Sequence, residues 1–385
     1  MRSADHMQTP DQTQPRHCAH SRACAGDRAF VPGLPGRALA GVYTKVVQLR
    51  NRRFDRGRRV IAFDRPVVSV GNLSMGGTGK TPMVQRIVAM LREAGHQPCI
   101  AMRGYGESKN NENISDEAAL YRQRFDDLPI IAQPDRIGGL IDIFASEYGQ
   151  RVDCIVLDDG FQHRQIARQL DIVLLDVCFD PLACRVFPAG TLREPIENIS
   201  RATHLVLTHA ERVDNATITR RREALESLWT RQARKTPFFC SVSRHAWKQL
   251  WVYDPRHVQG CAHAAVDWLK AKRVVGACAI GKPDAFFAAI EQAGATIAAR
   301  FVLRDHDPFK RSTIERIMHA AGQHNADAIV VTAKDMTKIS TQSKGMDFPC
   351  PIIVPELELV FAEKQPDTWA GLKKDILDVV SQDVG

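Results

Sequence analysis

From residue 66 onward the chain alternates short apolar runs with polar stretches of helical period. Runs rich in Val, Ile and Leu at 66–70, 98–102, 129–132, 154–157, 171–175 and 204–208 predict buried strands. Strands covered on both faces read as continuous apolar stretches rather than alternating ones. Between several of them, apolar positions recur every three or four residues, as on an amphipathic helix. Such alternation predicts a parallel sheet with helical crossovers on both faces. Residues 215–235 read as a polar-faced helix, and the aromatic, β-rich stretch 237–253 as an antiparallel connector. A second βα series follows, with strands at 273–279, 297–302 and 328–332 and helices at 283–293 and from 310.

Upstream the pattern changes. Leu39, Val42, Tyr43, Val46, Val47 and Leu49 are spaced for one helical face, while Lys45, Arg50, Arg52, Arg53, Arg56, Arg58 and Arg59 crowd the polar side and the C-terminal end. Two readings fit: a basic amphipathic helix lying on an anionic bilayer surface, or a helix packed on the domain with a solvated basic end. The preceding residues 1–36 read as a disordered leader without a secretory apolar core. No run approaches the roughly 20 apolar residues of a membrane span. The expected division is therefore leader 1–36, basic helix 37–60, first α/β domain 61–235, second α/β lobe with connector strands 236–360, and a C-terminal helix in 361–385 able to return to the first lobe.

Composition changes this picture in two places. A net charge of +8 favours anionic partners such as phosphates or acidic lipid. Specific nucleic-acid binding is not expected, because neither a recognition motif nor aromatic interleaving accompanies the charge. Ten cysteines suggest a framework until their positions are read. Cys99, Cys154, Cys178, Cys240, Cys278 and Cys350 lie in or beside apolar runs and no C-x-x-C pair occurs, so reduced buried thiols are expected. His17, Cys18, His20 and Cys24 in the leader lack metal-site spacing.

The chemistry concentrates at residues 74–81, Ser-Met-Gly-Gly-Thr-Gly-Lys-Thr, between a predicted strand and a predicted helix. That is the context in which a Walker A pattern carries weight. Amides of Ser74, Met75, Gly76, Gly77, Thr78 and Gly79 are placed to cradle phosphates at a helix N-terminus. Lys80 would reach the β- and γ-phosphates and Thr81 would hold Mg²⁺. Ser74 stands where the pattern has Gly. Asp158 and Asp159 end a buried strand, the Walker B arrangement that completes a Mg²⁺ site. The expected fold class is thus α/β, a P-loop NTPase-like parallel sheet flanked by helices with a second, smaller α/β lobe. Arg103 in an Arg-Gly-Tyr-Gly turn, Asp116 with Glu117, Asp305 with His306, and Thr332 to Asp335 are weaker signals, each compatible with an ordinary turn or a solvated pair.

Taken in order, these segments resemble one family. The Gly-Gly-Thr-Gly-Lys-Thr-Pro loop ending at Pro82, the Asp-Asp-Gly-Phe-Gln-His block ending at His163, the Leu-Arg-Glu-Pro block ending at Pro195, and the smaller blocks between and after them are collinear with the tetraacyldisaccharide 4′-kinases of lipid A synthesis. Ser at the first Walker position also fits that family. The resemblance implies ATP- and Mg²⁺-dependent phosphorylation of the 4′-hydroxyl of a tetraacyldisaccharide 1-phosphate, a lipid A precursor, at the cytoplasmic face of the inner membrane. It implies Asp116 as base, His306 as its assistant, and Asp158, Asp159 and Glu117 with Thr81 around the metal. It implies Arg193 and Glu194 near the lipid head group, Arg136 as a further basic contact, and Arg103, Tyr105, Gln162 and His163 as lining residues. It also shifts the basic helix towards membrane contact. The motifs alone leave another reading open, a P-loop switch or metallochaperone NTPase that hydrolyses nucleotide without a lipid acceptor.

Overall fold

A computed structural model describes residues 30–104, 116–231, 237–253, 261–281, 283–305, 307–361 and 369–382. Most of the leader lies outside the described residues, as do Tyr105, His306 and the side chain of Asp116.

The predicted apolar runs form β1 (Val67–Asn72), β2 (Pro98–Met102), β3 (Ile130–Ala132), β4 (Cys154–Asp158), β5 (Leu170–Asp176) and β6 (His204–Thr208). They pair in parallel in the order β6-β5-β1-β4-β2-β3. β1, β4, β5 and β6 are buried along their whole length, as their continuous apolar sequence requires. Helices α2 (Lys80–Glu93), α3 (Asp116–Arg124), α4 (Arg136–Phe144) and α5 (Asn215–Arg231) fall between or after these strands.

Beyond them, β7 (Cys240–Tyr253) changes partner midway. Cys240 to Val242 continue the parallel ladder beside β6, and Ser243 to Tyr253 run antiparallel to β12 (Ile352–Phe361). A short β8 (Cys261–Ala264) pairs with the far end of β7. A second parallel set, β9 (Arg273–Cys278), β10 (Thr296–Val302) and β11 (Ala328–Val331), continues from β12 in the order β12-β11-β9-β10, accompanied by α6 (Pro283–Gln292), α7 (Arg311–Gln323) and α8 (Ala333–Gln342). The two parallel sets are therefore joined through one antiparallel ribbon, β7 with β12.

Neither β8 nor β12 is anticipated by the pattern. β12 carries Pro355, Glu356 and Glu358, which argue against an interior strand. The structure accommodates them with a register shift between Glu356 and Leu357. Glu356 is not idle there: its carboxylate accepts from Gln249 Nε2 at 2.6 Å and Trp251 Nε1 at 3.2 Å and pairs with Arg124 of α3 at 3.1 Å. It thus ties the ribbon to the first parallel set.

α9 (Trp369–Val380) packs on that first set. Leu372, Ile376 and Val380 share an apolar cluster with Val68, Met83, Ile87 and with Leu359 and Phe361 of β12. Arg86 of α2 donates to the Leu359 carbonyl at 2.7 Å and lies over the Trp369 ring at 4.5 Å.

α1 runs Gly33–Asp55, starting four residues earlier than the sequence suggests. Its apolar residues divide between two faces. Ala40 and Val47 turn inward with Gly36 and Asn51, whereas Leu39, Val42, Val46 and Leu49 are more than half exposed, at 51%, 62%, 58% and 59%. Five of the cysteines, Cys99, Cys154, Cys240, Cys278 and Cys350, are buried free thiols.

Ile376 is fully buried against the first set. Replacing it with Ala should lower stability by about 2–5 kcal/mol, the usual cost of emptying such a site. Urea unfolding monitored by tryptophan fluorescence checks this; an unchanged midpoint would mean that α9 does not dock there.

Candidate active site

The chain leaving β1 folds against residues 191–195. Met75 N–H donates to the Thr191 carbonyl at 2.8 Å, and Arg193 N–H to the Leu73 carbonyl at 2.7 Å. Asn72 Nδ2 donates to Thr78 Oγ1 at 2.9 Å, closing the loop from within. Gly79, at φ +83°, is the N-cap of α2. A Cβ there would lie 2.7 Å from His245 Nε2, so both backbone and space demand glycine. At Gly76 and Gly77 an added Cβ would meet nothing within 4 Å, so the loop is open beside its glycines.

β4 runs beside β1, and its end delivers two adjacent carboxylates with opposite tuning. Asp159 sits at φ 51° just beyond the strand. Lys80 Nζ lies 3.5 Å from its Oδ1, and Arg193 donates to both of its oxygens at 2.8 Å. Burial alone would raise this carboxyl, but Lys80 and Arg193 outweigh it and hold Asp159 below the usual carboxylate range. Asp158 is buried, and burial raises its carboxyl despite Lys80. Its Oδ2 accepts from Tyr121 at 2.8 Å, while Oδ1 is buried with no hydrogen-bond partner among the described residues. Glu117, on the first turn of α3, is raised as well, by partial desolvation first and by Asp158 second, although the residue as a whole stays exposed.

Behind this pair lies a second polar cluster. Gln162 Nε2 donates to the Asn72 carbonyl at 2.9 Å and to Glu194 Oε1 at 3.0 Å. Glu194 is 2% exposed and accepts from both terminal nitrogens of Arg201, at 2.9 and 3.0 Å, from Asn198 at 2.7 Å and from Asn51 of α1 at 3.1 Å. These donors outweigh burial and keep its carboxyl below the usual range. Arg136, at the start of α4, is 3% exposed and donates to the Asp159 carbonyl at 3.4 Å. His163 is pushed down to about 4 by burial and by Arg136 and Arg168, so its ring is neutral near pH 7.

The structure therefore brings together Lys80, Asp158, Asp159, Glu117, Arg136, Gln162 and Arg193. Glu194 faces inward with its carboxylate fully engaged, and it acts on the site by holding Gln162, Arg201 and α1. Arg103 is exposed at the end of β2. Asp116 opens α3. Thr332 to Asp335 form a helix cap: Thr332 donates to Asp335 at 2.6 Å, and Asp335, fully buried, accepts from Ala279 N–H at 3.1 Å. Asp305 pairs with Lys334 at 3.6 Å. Sequence reading missed Tyr121 and Arg201. Tyr121 lies one helical turn after Glu117, the only signal available for it.

A glycine loop capping a helix after one parallel strand, beside a strand-end carboxylate pair on its neighbour, defines a P-loop α/β protein. The chain belongs to the tetraacyldisaccharide-1-P 4′-kinase family (LpxK), whose sequence model matches residues 36–376. A tetraacyldisaccharide 4′-kinase of Chlorobium chlorochromatii is 30% identical over 351 residues, 87% of this chain and 89% of that protein. Another, from Desulfotalea psychrophila, is 32% identical over 320 residues, 80% and 88% of the two chains. Among solved structures, an "apo" form of LpxK from Aquifex aeolicus in complex with ATP aligns with TM-score 0.65 and 25% identity, covering 89% of this chain and 98% of that one.

Removing the buried Glu194 carboxylate leaves the partly buried Arg201 without its counter-charge, so Glu194→Ala should cost about 2–4 kcal/mol, below the full penalty of a stranded buried charge. Because its folded pKa is depressed, the contribution is complete above about pH 4.3 and is lost as pH falls through the folded value. Urea midpoints of both proteins across this range should converge in acid; a constant gap would assign the loss to packing instead.

Proposed function

We propose that this chain transfers the γ-phosphoryl group of ATP to the 4′-hydroxyl of a tetraacyldisaccharide 1-phosphate. The observation that carries the reading is Lys80 at the head of α2, held with Arg193 on one ionised carboxylate, Asp159. Loop amides and the α2 N-terminus bind the β- and γ-phosphates, and Lys80 supplies a point charge there. Asp159, its main-chain carbonyl held by Arg136, keeps Lys80 and Arg193 oriented before substrate arrives, so little reorganisation is left for the transition state.

The donor set suits a magnesium ion. Thr81, Asp158, Asp159 and Glu117 offer hard oxygen ligands, and the unpartnered Asp158 Oδ1 is the buried atom such an ion would satisfy. Held by these oxygens, Mg²⁺ would neutralise charge on the β- and γ-phosphates. The raised carboxyls of Asp158 and Glu117 fit the same reading, since two desolvated carboxylates brought together call for a nearby cation. Asp116 accepts the proton of the 4′-hydroxyl as its oxygen bonds to phosphorus and ADP leaves, with His306 assisting. Arg193 and Arg103 face the anionic head group, with Tyr105, Gln162 and His163 lining the approach.

We assign the acceptor's side of the reaction to a membrane surface, the cytoplasmic face of the inner membrane. No described helix is long and apolar enough to cross a membrane. The outward stripe Leu39, Val42, Val46 and Leu49, spaced three or four apart beside Lys45 and Arg53, supports α1 lying on an anionic bilayer.

With a tetraacyldisaccharide 1-phosphate in detergent micelles, labelled γ-phosphate should appear in the lipid only when ATP and Mg²⁺ are both present. Lys80→Ala should lower kcat about 10²–10³-fold, and Asp116→Asn comparably. Nucleotide hydrolysis unaffected by the lipid, without transfer, would defeat the proposal.

For the membrane contact, Val46→Asp with Leu49→Asp should weaken sedimentation with phosphatidylglycerol vesicles at least about tenfold, given the apolar burial lost. Equal sedimentation of variant and parent would move the contact to another surface.

A further inference from the structure

Against the far side of the phosphate loop lies a cluster that none of the roles above uses. β6 ends at Thr208, and His209 follows in a left-handed conformation at φ 61°. Glu211 sits two residues on, and His245 comes from β7. One donor atom from each of the three lies within 4.8 Å of the others. The imidazoles stack, with centroids 4.2 Å apart and planes 20° apart. Both present Nδ1 to the same carboxylate oxygen: Glu211 Oε1 is 3.4 Å from His209 Nδ1 and 3.8 Å from His245 Nδ1.

Proton placement makes this convergence informative. His209 Nε2 lies 3.2 Å from the Gly77 carbonyl, which only accepts, so Nε2 carries the hydrogen. With its other nitrogen turned to Gly77, His209 faces the carboxylate oxygen through Nδ1, an edge that either a proton or a bound cation fills. A proton on His209 fills that edge for one ring only and leaves Nδ1 of the stacked His245 beside the same oxygen. A single dication would engage all three donors at once.

The spacing agrees. With metal–ligand distances of about 2.0–2.2 Å, tetrahedral donors stand roughly 3.3–3.6 Å apart. The surroundings agree too. The second carboxylate oxygen, Oε2, accepts from His245 N–H at 2.9 Å, and the second ring nitrogen of His209 is held by the Gly77 carbonyl. Outer hydrogen bonds of this kind orient carboxylate and histidine ligands at metal sites. His245 and His209 are 9% and 15% exposed at the side chain and Glu211 31%, which shields the nitrogens and leaves an approach past the carboxylate.

We propose that His209 Nδ1, Glu211 Oε1 and His245 Nδ1 bind a borderline transition-metal dication of the Zn²⁺ class, with water completing the coordination. This site is distinct from the magnesium position, which is built of hard oxygens. Its occupancy would fix His209 as the donor to Gly77 and so stiffen the phosphate loop from behind.

The test uses the full chain, stripped with chelator, dialysed and titrated with Co²⁺ and Zn²⁺. One equivalent should bind, with Co²⁺ giving the visible d–d bands of a low-symmetry nitrogen–oxygen site. His245→Gln and Glu211→Gln, each checked for folding by far-UV circular dichroism, should weaken binding at least about tenfold. His263→Gln, outside the cluster, should bind as the parent does. X-ray absorption of the zinc-loaded parent should show a shell of nitrogen and oxygen only, a readout that needs no variant. Sulfur in that shell, absence of stoichiometric uptake, or undiminished uptake by both cluster variants would overturn the assignment.

Discussion

One carboxylate organises the site. Asp159 draws Lys80 from the head of α2 and Arg193 from the segment that pairs with the phosphate loop, and it does so from the end of β4. Three pieces of chain far apart in sequence are thereby fixed to one another by charge. A partly buried carboxylate stays charged most easily when its counter-charges are in place, and here the two cations suffice to keep it ionised against desolvation. Its neighbour Asp158 is in the opposite condition, raised by burial, with one oxygen held by Tyr121 and the other without a hydrogen-bond partner among the described residues. One position already holds two cationic side chains, and its neighbour keeps an oxygen without a partner among the described residues. Two consecutive aspartates with the same local sequence environment acquire different chemistry because successive residues at a strand end point in different directions.

How much of this is legible in the sequence depends on how local its determinants are. Residues 74–81 and the pair Asp158–Asp159 are legible because loop, helix start and strand end are short-range patterns with a mechanical reason. The pairing of Arg193 with Asp159 is not, since 34 residues separate them and only the fold makes them neighbours. Glu194 shows the opposite limit. Its place in a family block suggests contact with the acceptor, yet Arg201, Asn198, Gln162 and Asn51 surround it, while its neighbour Arg193 pairs with Asp159. Thr332 to Asp335, a weak signal in the sequence, are engaged by a helix cap bonded to Ala279. A motif of four residues cannot distinguish these uses, because Thr and Asp side chains satisfy backbone donors as readily as ligands.

The same logic applies to the sheet. Parallel strands announced themselves as apolar runs because both faces are covered. β12 did not, because a ribbon that crosses between two parallel sets has mixed surroundings along its length. Leu359 and Phe361 enter the first core, while Ile352 and Val354 enter another. Between these ends the strand carries Pro355 and the paired Glu356. The C-terminal helix could be proposed but not placed from pattern alone, since its partners on α2 and β12 become neighbours only through this ribbon. The cluster of His209, Glu211 and His245 was invisible for a like reason: its third member arrives on β7, after the helix α5 has intervened.

The placement of α1 links the interior to the surface. A helix with four exposed aliphatic residues in a stripe is poorly solvated unless something covers it, and its opposite face is not held by apolar packing alone. Tyr43 donates to the Arg193 carbonyl at 2.9 Å, Asn51 reaches Glu194, and Arg164 grips Asn51 and Asp55. Directional polar bonds fix a helix in rotation as well as position, which a greasy contact does less well. The rotation decides whether Leu39, Val42, Val46 and Leu49 point outward or into the molecule. On the proposed reading, the helix that meets the bilayer is therefore bonded to the residue that holds Asp159. An acceptor lying in the membrane would then meet the phosphate loop at a depth set by rigid contacts rather than by a tether.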